Sequence, residues 1–187
     1  MRIISGQFKG KKIFEPKDKK TRPLKDLAKE SLFNIINHSN KFNVKIINSN
    51  VLDLFSGVGS FGIESLSRGA KHVTFIENYQ SVLKVLKKNI ENLELTEKCN
   101  IIEKNILNDP IFDKLYTSYD LIFLDPPFKE KEISQILNRI QKYNILKEGG
   151  VIILHRESKN KEKFSEKFKI IAEKKYGISK LIFGTYL

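Results

Sequence analysis

Val51-Leu52-Asp53-Leu54-Phe55-Ser56-Gly57-Val58-Gly59-Ser60-Phe61-Gly62 is the stretch on which the fold turns. Its first half is a mostly apolar run that reads as a buried strand. Gly57, Gly59 and Gly62 follow in the spacing G-x-G-x-x-G, between that strand and a helical pattern. Glu77, about 20 residues beyond the first glycine, ends the next apolar run, where an acid can grip ribose hydroxyls. Strand, glycine turn, helix and distal acid in register point to a bound nucleoside. The spacing alone is shared with nicotinamide and flavin enzymes, so both remain open at this point.

Outward from the glycine loop, strand and helix patterns alternate. Strands are predicted at 50–55, 72–77, 99–104, 120–125 and 149–155, with helices near 60–68, 79–92, 108–115 and 130–143. Near-continuous apolar runs at 121–124 and 151–154 predict a parallel sheet covered on both faces. Two last strands, 168–173 and 180–186, join around Tyr176-Gly177 and give the series an antiparallel ending. Upstream, residues 2–14 alternate loosely around Gly6 and Gly10, as in a short basic hairpin. A polar loop then ends in Thr21-Arg22-Pro23. Leu24, Leu27, Leu32, Ile35 and Ile36 recur at helical spacing, which predicts a helix over 24–38. The expectation is a doubly wound α/β fold with a mostly parallel, seven-stranded sheet. A basic β-hairpin extension (1–23) precedes the α/β domain (24–187).

The second decisive motif is Asp125-Pro126-Pro127-Phe128, directly after Leu121-Ile122-Phe123-Leu124. Both prolines restrict their own φ and bias the preceding residue toward extended geometry, so the turn is stiff. A carboxylate and the first proline's carbonyl can accept hydrogen bonds from an amino group on a planar ring. The phenyl face of Phe128 can stack on that ring. Asp53 bears on the donor. A pyrophosphate docks on helix N–H groups, and a carboxylate close by would repel it. S-adenosylmethionine has no phosphate, and its cationic amino and sulfonium groups favour a neighbouring acid. The alternative for Asp53 is a helix cap or a buried hydrogen-bonded carboxylate.

Composition narrows the class. The chain has 187 residues, a net charge of +12 and one cysteine, Cys99. The length suits one well-cored domain. No apolar run approaches a membrane span, and the amino terminus lacks a signal-peptide core. A lone cysteine forms no internal disulfide, fits a reducing cytosol and is expected to be a buried thiol. His38, His72 and His155 are scattered without ligand spacing, so no metal site is expected. The positive charge points to a polyanionic partner. It is concentrated at the front, where Arg2, Lys9, Lys11, Lys12 and Arg22 are candidates to hold RNA phosphates. Four glutamates dilute a second basic stretch between Arg156 and Lys180.

Asp53 to Gly59, Glu77 and Asp125 to Phe128 look like the successive motifs of class I (Rossmann-like) N-methyltransferases. Arg2-Ile3-Ile4-Ser5-Gly6, Thr21-Arg22-Pro23, Lys29-Glu30-Ser31-Leu32-Phe33-Asn34, Leu66-Ser67-Arg68-Gly69-Ala70 and Tyr176-Gly177 resemble the RsmD family more narrowly. Those are bacterial guanine-N2 methyltransferases of 16S ribosomal RNA, and the likeness covers nearly the whole chain in one order. It implies methyl transfer from S-adenosyl-L-methionine to a guanine, guanine 966, in a partly or fully assembled 30S subunit in the cytoplasm. It also implies a catalytic corner of Asp125, Pro126, Pro127 and Phe128. The implied donor site comprises Asp53, Phe55, Ser56, Gly57, Gly59, Gly62, Glu77, Asn78, Asn105 and Ile106, with Arg22 and Phe33 at its edge.

Two positions depart from the class. Lys104-Asn105-Ile106 offers an amide where an acid usually meets the adenine amine, so altered adenine contact is expected. His155-Arg156 ends the fifth strand where an acid is more usual, and no role follows for either. The corner equally suits adenine-N6 transfer to DNA or another RNA, and glutamine methylation in proteins. A non-catalytic RNA-binding assembly factor is the competing reading outside enzymes.

Overall fold

The computed structural model describes residues 1–16, 26–107, 111–115, 118–127 and 132–187. Seven strands form one sheet: β1 (Asn50–Leu54), β2 (His72–Ile76), β3 (Cys99–Ile102), β4 (Tyr119–Leu124), β5 (Leu146–Glu157), β6 (Phe168–Tyr176) and β7 (Ser179–Tyr186). Their order is β3-β2-β1-β4-β5-β7-β6, parallel as far as β5, with β7 inserted antiparallel between β5 and β6. The helices are α1 (Asp26–His38), α2 (Ser60–Ser67), α3 (Gln80–Asn92) and α4 (Ile133–Lys142). The sheet order reverses between β1 and β4, and that crevice is where open α/β sheets bind ligands. This is the class I Rossmann-like methyltransferase fold.

The apolar runs are continuous because both faces of the central strands are covered. Val51, Leu121, Phe123, Val151 and Ile153 face a core shared with residues of α1, α2 and α3. Leu52, Leu54, Ile122, Leu124, Ile152 and Leu154 face a second core completed by Ile133, Ile136, Leu137 and Ile140 of α4. The period of two along each strand divides one hydrophobic run between two layers.

Three expectations are corrected. The helix expected over 108–115 is a single 3-10 turn, Ile111–Lys114, among the described residues. Residues 108–110 lie outside the described residues, and one turn suffices to bury Ile111 and Phe112. β5 is longer than expected because both ends find partners, Leu146 with Tyr119 and Glu157 with Ser179. β6 continues to Tyr176 by pairing with β7.

The amino-terminal segment turns back through one antiparallel bridge, Arg2 to Lys12, and buries Ile3 and Ile13. It is tied to α2 by Glu64, whose side chain is sealed from solvent. The Glu64 carboxylate accepts the Ile4 and Ser5 N–H groups at 2.8 and 3.0 Å and Arg68 Nε at 2.8 Å. Lys29 Nζ lies 3.6 Å away and donates to the Arg2 carbonyl and the Ser60 hydroxyl. Burial lowers the Lys29 pKa, opposed by the charges of Glu64 and Asp26. Gly6 completes the joint. Its φ is +83°, and a Cβ there would stand 1.8 Å from the Ser67 carbonyl oxygen.

Glu64→Ala leaves the buried Lys29 ammonium without its counterion and the Ile4 and Ser5 N–H groups without their acceptor. Loss of one partner from such a buried pair costs about 3–5 kcal/mol. Chemical denaturation should register a fall of that order for Glu64→Ala, and a change below about 1 kcal/mol would contradict this account.

Candidate active site

Asp53, next to last in β1, has 1% of its surface exposed, and its Oδ2 accepts the Gly62 N–H at 3.0 Å. That contact fastens the first turn of α2 to the strand. Gly62 can approach so closely because it has no side chain: a Cβ would fall 2.2 Å from Phe75 Cε1. Gly59 lies at φ +85°, where a Cβ would stand 2.5 Å from Leu86 Cδ1 of α3. The loop therefore admits no side chain at either position. Ser56 is held by its neighbours, its hydroxyl donating to the Asp53 and Ile76 carbonyls. Phe55 adopts a left-handed φ of +59°, an uncommon conformation for so bulky a residue.

Glu77, just past β2, closes the loop from the other side. One oxygen accepts the Gly57 N–H at 2.9 Å and the other accepts the Asn78 and Tyr79 N–H groups at 2.8 and 2.9 Å. Asn105 Oδ1 accepts the Leu107 N–H at 3.0 Å. Asp53, Phe55, Ser56, Gly57, Glu77, Asn78 and Asn105 line one side of a cavity of about 2080 Å³. Gly59, Gly62 and Ile106 shape that wall from behind without lining it. The Ile106 side chain is buried, and its carbonyl accepts from Arg139.

Asp125, Pro126 and Pro127 line the same cavity beside the glycine loop. Pairing of Leu54 with Leu124 and a hydrogen bond from Asp125 N–H to the Leu54 carbonyl fix this adjacency. Phe128 and Arg22 lie outside the described residues. Asp125 Oδ1 is 2.8 Å from His155 Nδ1, and Arg156 Nη1 donates to the Pro127 carbonyl at 3.1 Å. Arg156 Nε also donates to Glu162 at 2.6 Å. These two residues, given no role from the sequence, brace the corner. Only the register of β4 against β5, Leu124 opposite Leu154, brings His155 alongside Asp125.

The remaining candidates fall in the core or on the surface. Phe33 is core, stacked on Phe61 at 5.3 Å and beneath Arg68, and does not line the cavity. Arg2, Lys9, Lys11 and Lys12 are exposed but likewise do not line it. Cys99 is buried, and burial pushes its thiol up to about 11. Among the described residues, no cluster of side chains could hold a metal ion and no helix could cross a membrane.

Burial raises the Asp53 pKa well above its ordinary value, against the Gly62 hydrogen bond and with the charges of Asp125 and Glu77 adding to it. The unfolded chain ionises this group near pH 3.9, while the folded chain retains the proton to higher pH. The unfolded state then binds fewer protons, so this group subtracts stability as pH rises above that point. Asp53→Asn removes the effect. Its melting temperature relative to wild type should climb between about pH 4 and about pH 7, and a constant difference would refute the assignment.

The family model described as "Conserved hypothetical protein 95" matches residues 1–185. The Haemophilus influenzae protein named "Ribosomal RNA small subunit methyltransferase D" is 34% identical over 183 residues, 95% of this chain and 90% of its own. A solved Escherichia coli chain described as a methyltransferase superposes with a TM-score of 0.82 at 26% identity, covering 100% of this chain and 97% of that one. Another, described as a methyltransferase complexed with SAH, shares the fold at 17% identity and a TM-score of 0.66, covering 85% and 50%.

Proposed function

Because the chain belongs to the Conserved hypothetical protein 95 family, the RsmD family that its motifs resemble, we propose that it is a ribosomal RNA methyltransferase. In full, it transfers a methyl group from S-adenosylmethionine to the exocyclic N2 of a guanine in 16S ribosomal RNA, with guanine 966 and the 30S subunit as expected context. The observation that carries the reading is the Asp53 carboxylate on the Gly62 N–H, at the start of α2 and beside the Asp125 corner. A diphosphate would need that helix end, and a carboxylate already holds it. The residues present fit a donor that is a nucleoside without phosphate.

Glu77 would hold the ribose hydroxyls, Asn105 the adenine edge, and Asp53 the amino-acid portion. A cation beside Asp53 favours its ionised form. When bound, S-adenosylmethionine supplies an electrophilic methyl group on its sulfonium. The guanine amine is a poor nucleophile because its lone pair is delocalised into the ring. Among the described residues, Asp125 Oδ2 and the Pro126 carbonyl make no hydrogen bond, so both are available to the two amine N–H groups. Accepting these N–H groups localises the lone pair on nitrogen. Asp125 Oδ2 would take the proton that the nitrogen sheds once the methyl group has left the sulfonium, which departs as a neutral thioether. His155 keeps Oδ1 engaged and so sets the carboxylate's rotation. Phe128 would stack on the extruded base, worth about 1–3 kcal/mol. Alignment and electrostatic placement supply the catalysis.

Asp125→Ala should cut tritium transfer to unmodified ribosomal RNA by about 100-fold or more while leaving donor affinity intact, and near-normal turnover would remove Asp125 from the chemistry. Calorimetric titration should show saturable binding of S-adenosylmethionine and none of NAD; the reverse would return the chain to the oxidoreductases. His155→Ala should slow turnover about 10-fold or more at unchanged donor affinity, with His155→Asn restoring much of it through an amide N–H near Nδ1. Equal loss in both His155 variants would deny the residue a positioning part.

A further inference from the structure

The cavity is larger than a nucleoside donor needs. At about 2080 Å³ it exceeds the roughly 300–1,000 Å³ of ordinary small-molecule pockets. Beyond the Asp125 corner, its far wall is built from 155–163, after and at the end of β5, and from 176–179 between β6 and β7. That far compartment is where an acceptor must enter.

The wall is an ordered strap. Lys180 Nζ donates to the Asn160 carbonyl at 2.9 Å, and Arg156 holds Glu162 at 2.6 Å while also gripping Pro127. Exposure alternates along the strap: Asn160, Glu162 and Phe164 are partly covered, whereas Lys159, Lys161 and Lys163 are exposed. Three of the four glutamates that dilute this stretch in sequence are paired within the protein, and the exposed Glu166 lies outside the cavity lining. Glu162 pairs with Arg156, Glu157 with Lys159 and Glu173 with Lys180. Among the described residues no carboxylate pairs with Lys161 or Lys163, and both line the cavity. Residues two apart on an extended backbone stand about 6.6 Å apart, comparable with neighbouring phosphates along a nucleic-acid strand.

We infer that Lys161 and Lys163 form a phosphate-binding rail that grips the RNA strand flanking the target base, on the side of the corner away from the donor. The inference rests on the RNA reading given under Proposed function, and it adds a contact surface separate from the basic amino-terminal segment. Arg156 is the clasp that keeps the rail in register with Asp125.

The test measures binding of wild-type protein and K161A/K163A to an unmodified small-subunit ribosomal RNA transcript over a range of salt concentrations. The slope of log affinity against log salt should fall by about 1.4 in the variant, about 0.7 for each single-strand phosphate that is no longer neutralised. S-adenosylmethionine affinity should be unchanged. K161R/K163R should keep the wild-type slope, and K84A/K98A, the same charge loss at exposed sites away from the cavity, should do so too. A wild-type slope in K161A/K163A, or an equal drop in K84A/K98A, would overturn the rail. Wild-type protein with no salt-dependent affinity for the transcript would overturn the RNA reading itself, and the rail with it.

Discussion

The hydrogen bond from the Gly62 N–H to the buried Asp53 carboxylate is the contact on which the site is built. It joins the end of β1 to the first turn of α2, so the loop between them has little freedom. An acid in so enclosed a place is costly to ionise, and burial accordingly raises its pKa. The same contact occupies the helix end that would otherwise receive a phosphate. One interaction thus shapes the loop and fixes a buried acid at the start of α2.

Around that contact, rigidity is supplied by backbone groups. Glu77 is fastened through three N–H groups from the glycine loop and its own strand end. The Asp125 corner is fastened from β5, by His155 to the carboxylate and by Arg156 to the Pro127 carbonyl. Acids hold the glycine loop, and an imidazole and a guanidinium brace the corner from β5. A guanidinium that is itself paired with Glu162 can be buried there without leaving an isolated charge.

The glycine spacing, the apolar runs and the Asp125-Pro126-Pro127 turn were legible because each is local. A glycine that admits no Cβ and a proline that fixes φ act within a few residues, whatever surrounds them. The helix expected over 108–115 is only one 3-10 turn among the described residues, because so short a segment holds too few positions for helical periodicity to decide its form. The bracing residues were not legible. His155 and Arg156 carry no local pattern, and the usual acid at that position is missing, so nothing in the neighbouring sequence marks them as part of the site.

By itself, the sequence determined the alternation of strands and helices, the glycine loop, the acidic proline corner and the basic character of the chain. These follow from side-chain volume, backbone permission and net charge, which belong to residues or short runs of them. Only the tertiary structure decided that Glu64 sits at a buried junction with Lys29, Arg68 and the amino-terminal segment, that His155 meets Asp125, and that Glu162 of the late basic stretch pairs with the buried Arg156 while Lys161 and Lys163 stay exposed and line the cavity. Such pairings depend on strand register and on distances between residues far apart in the chain, and a one-residue shift in register would send each strand side chain to the other face of the sheet.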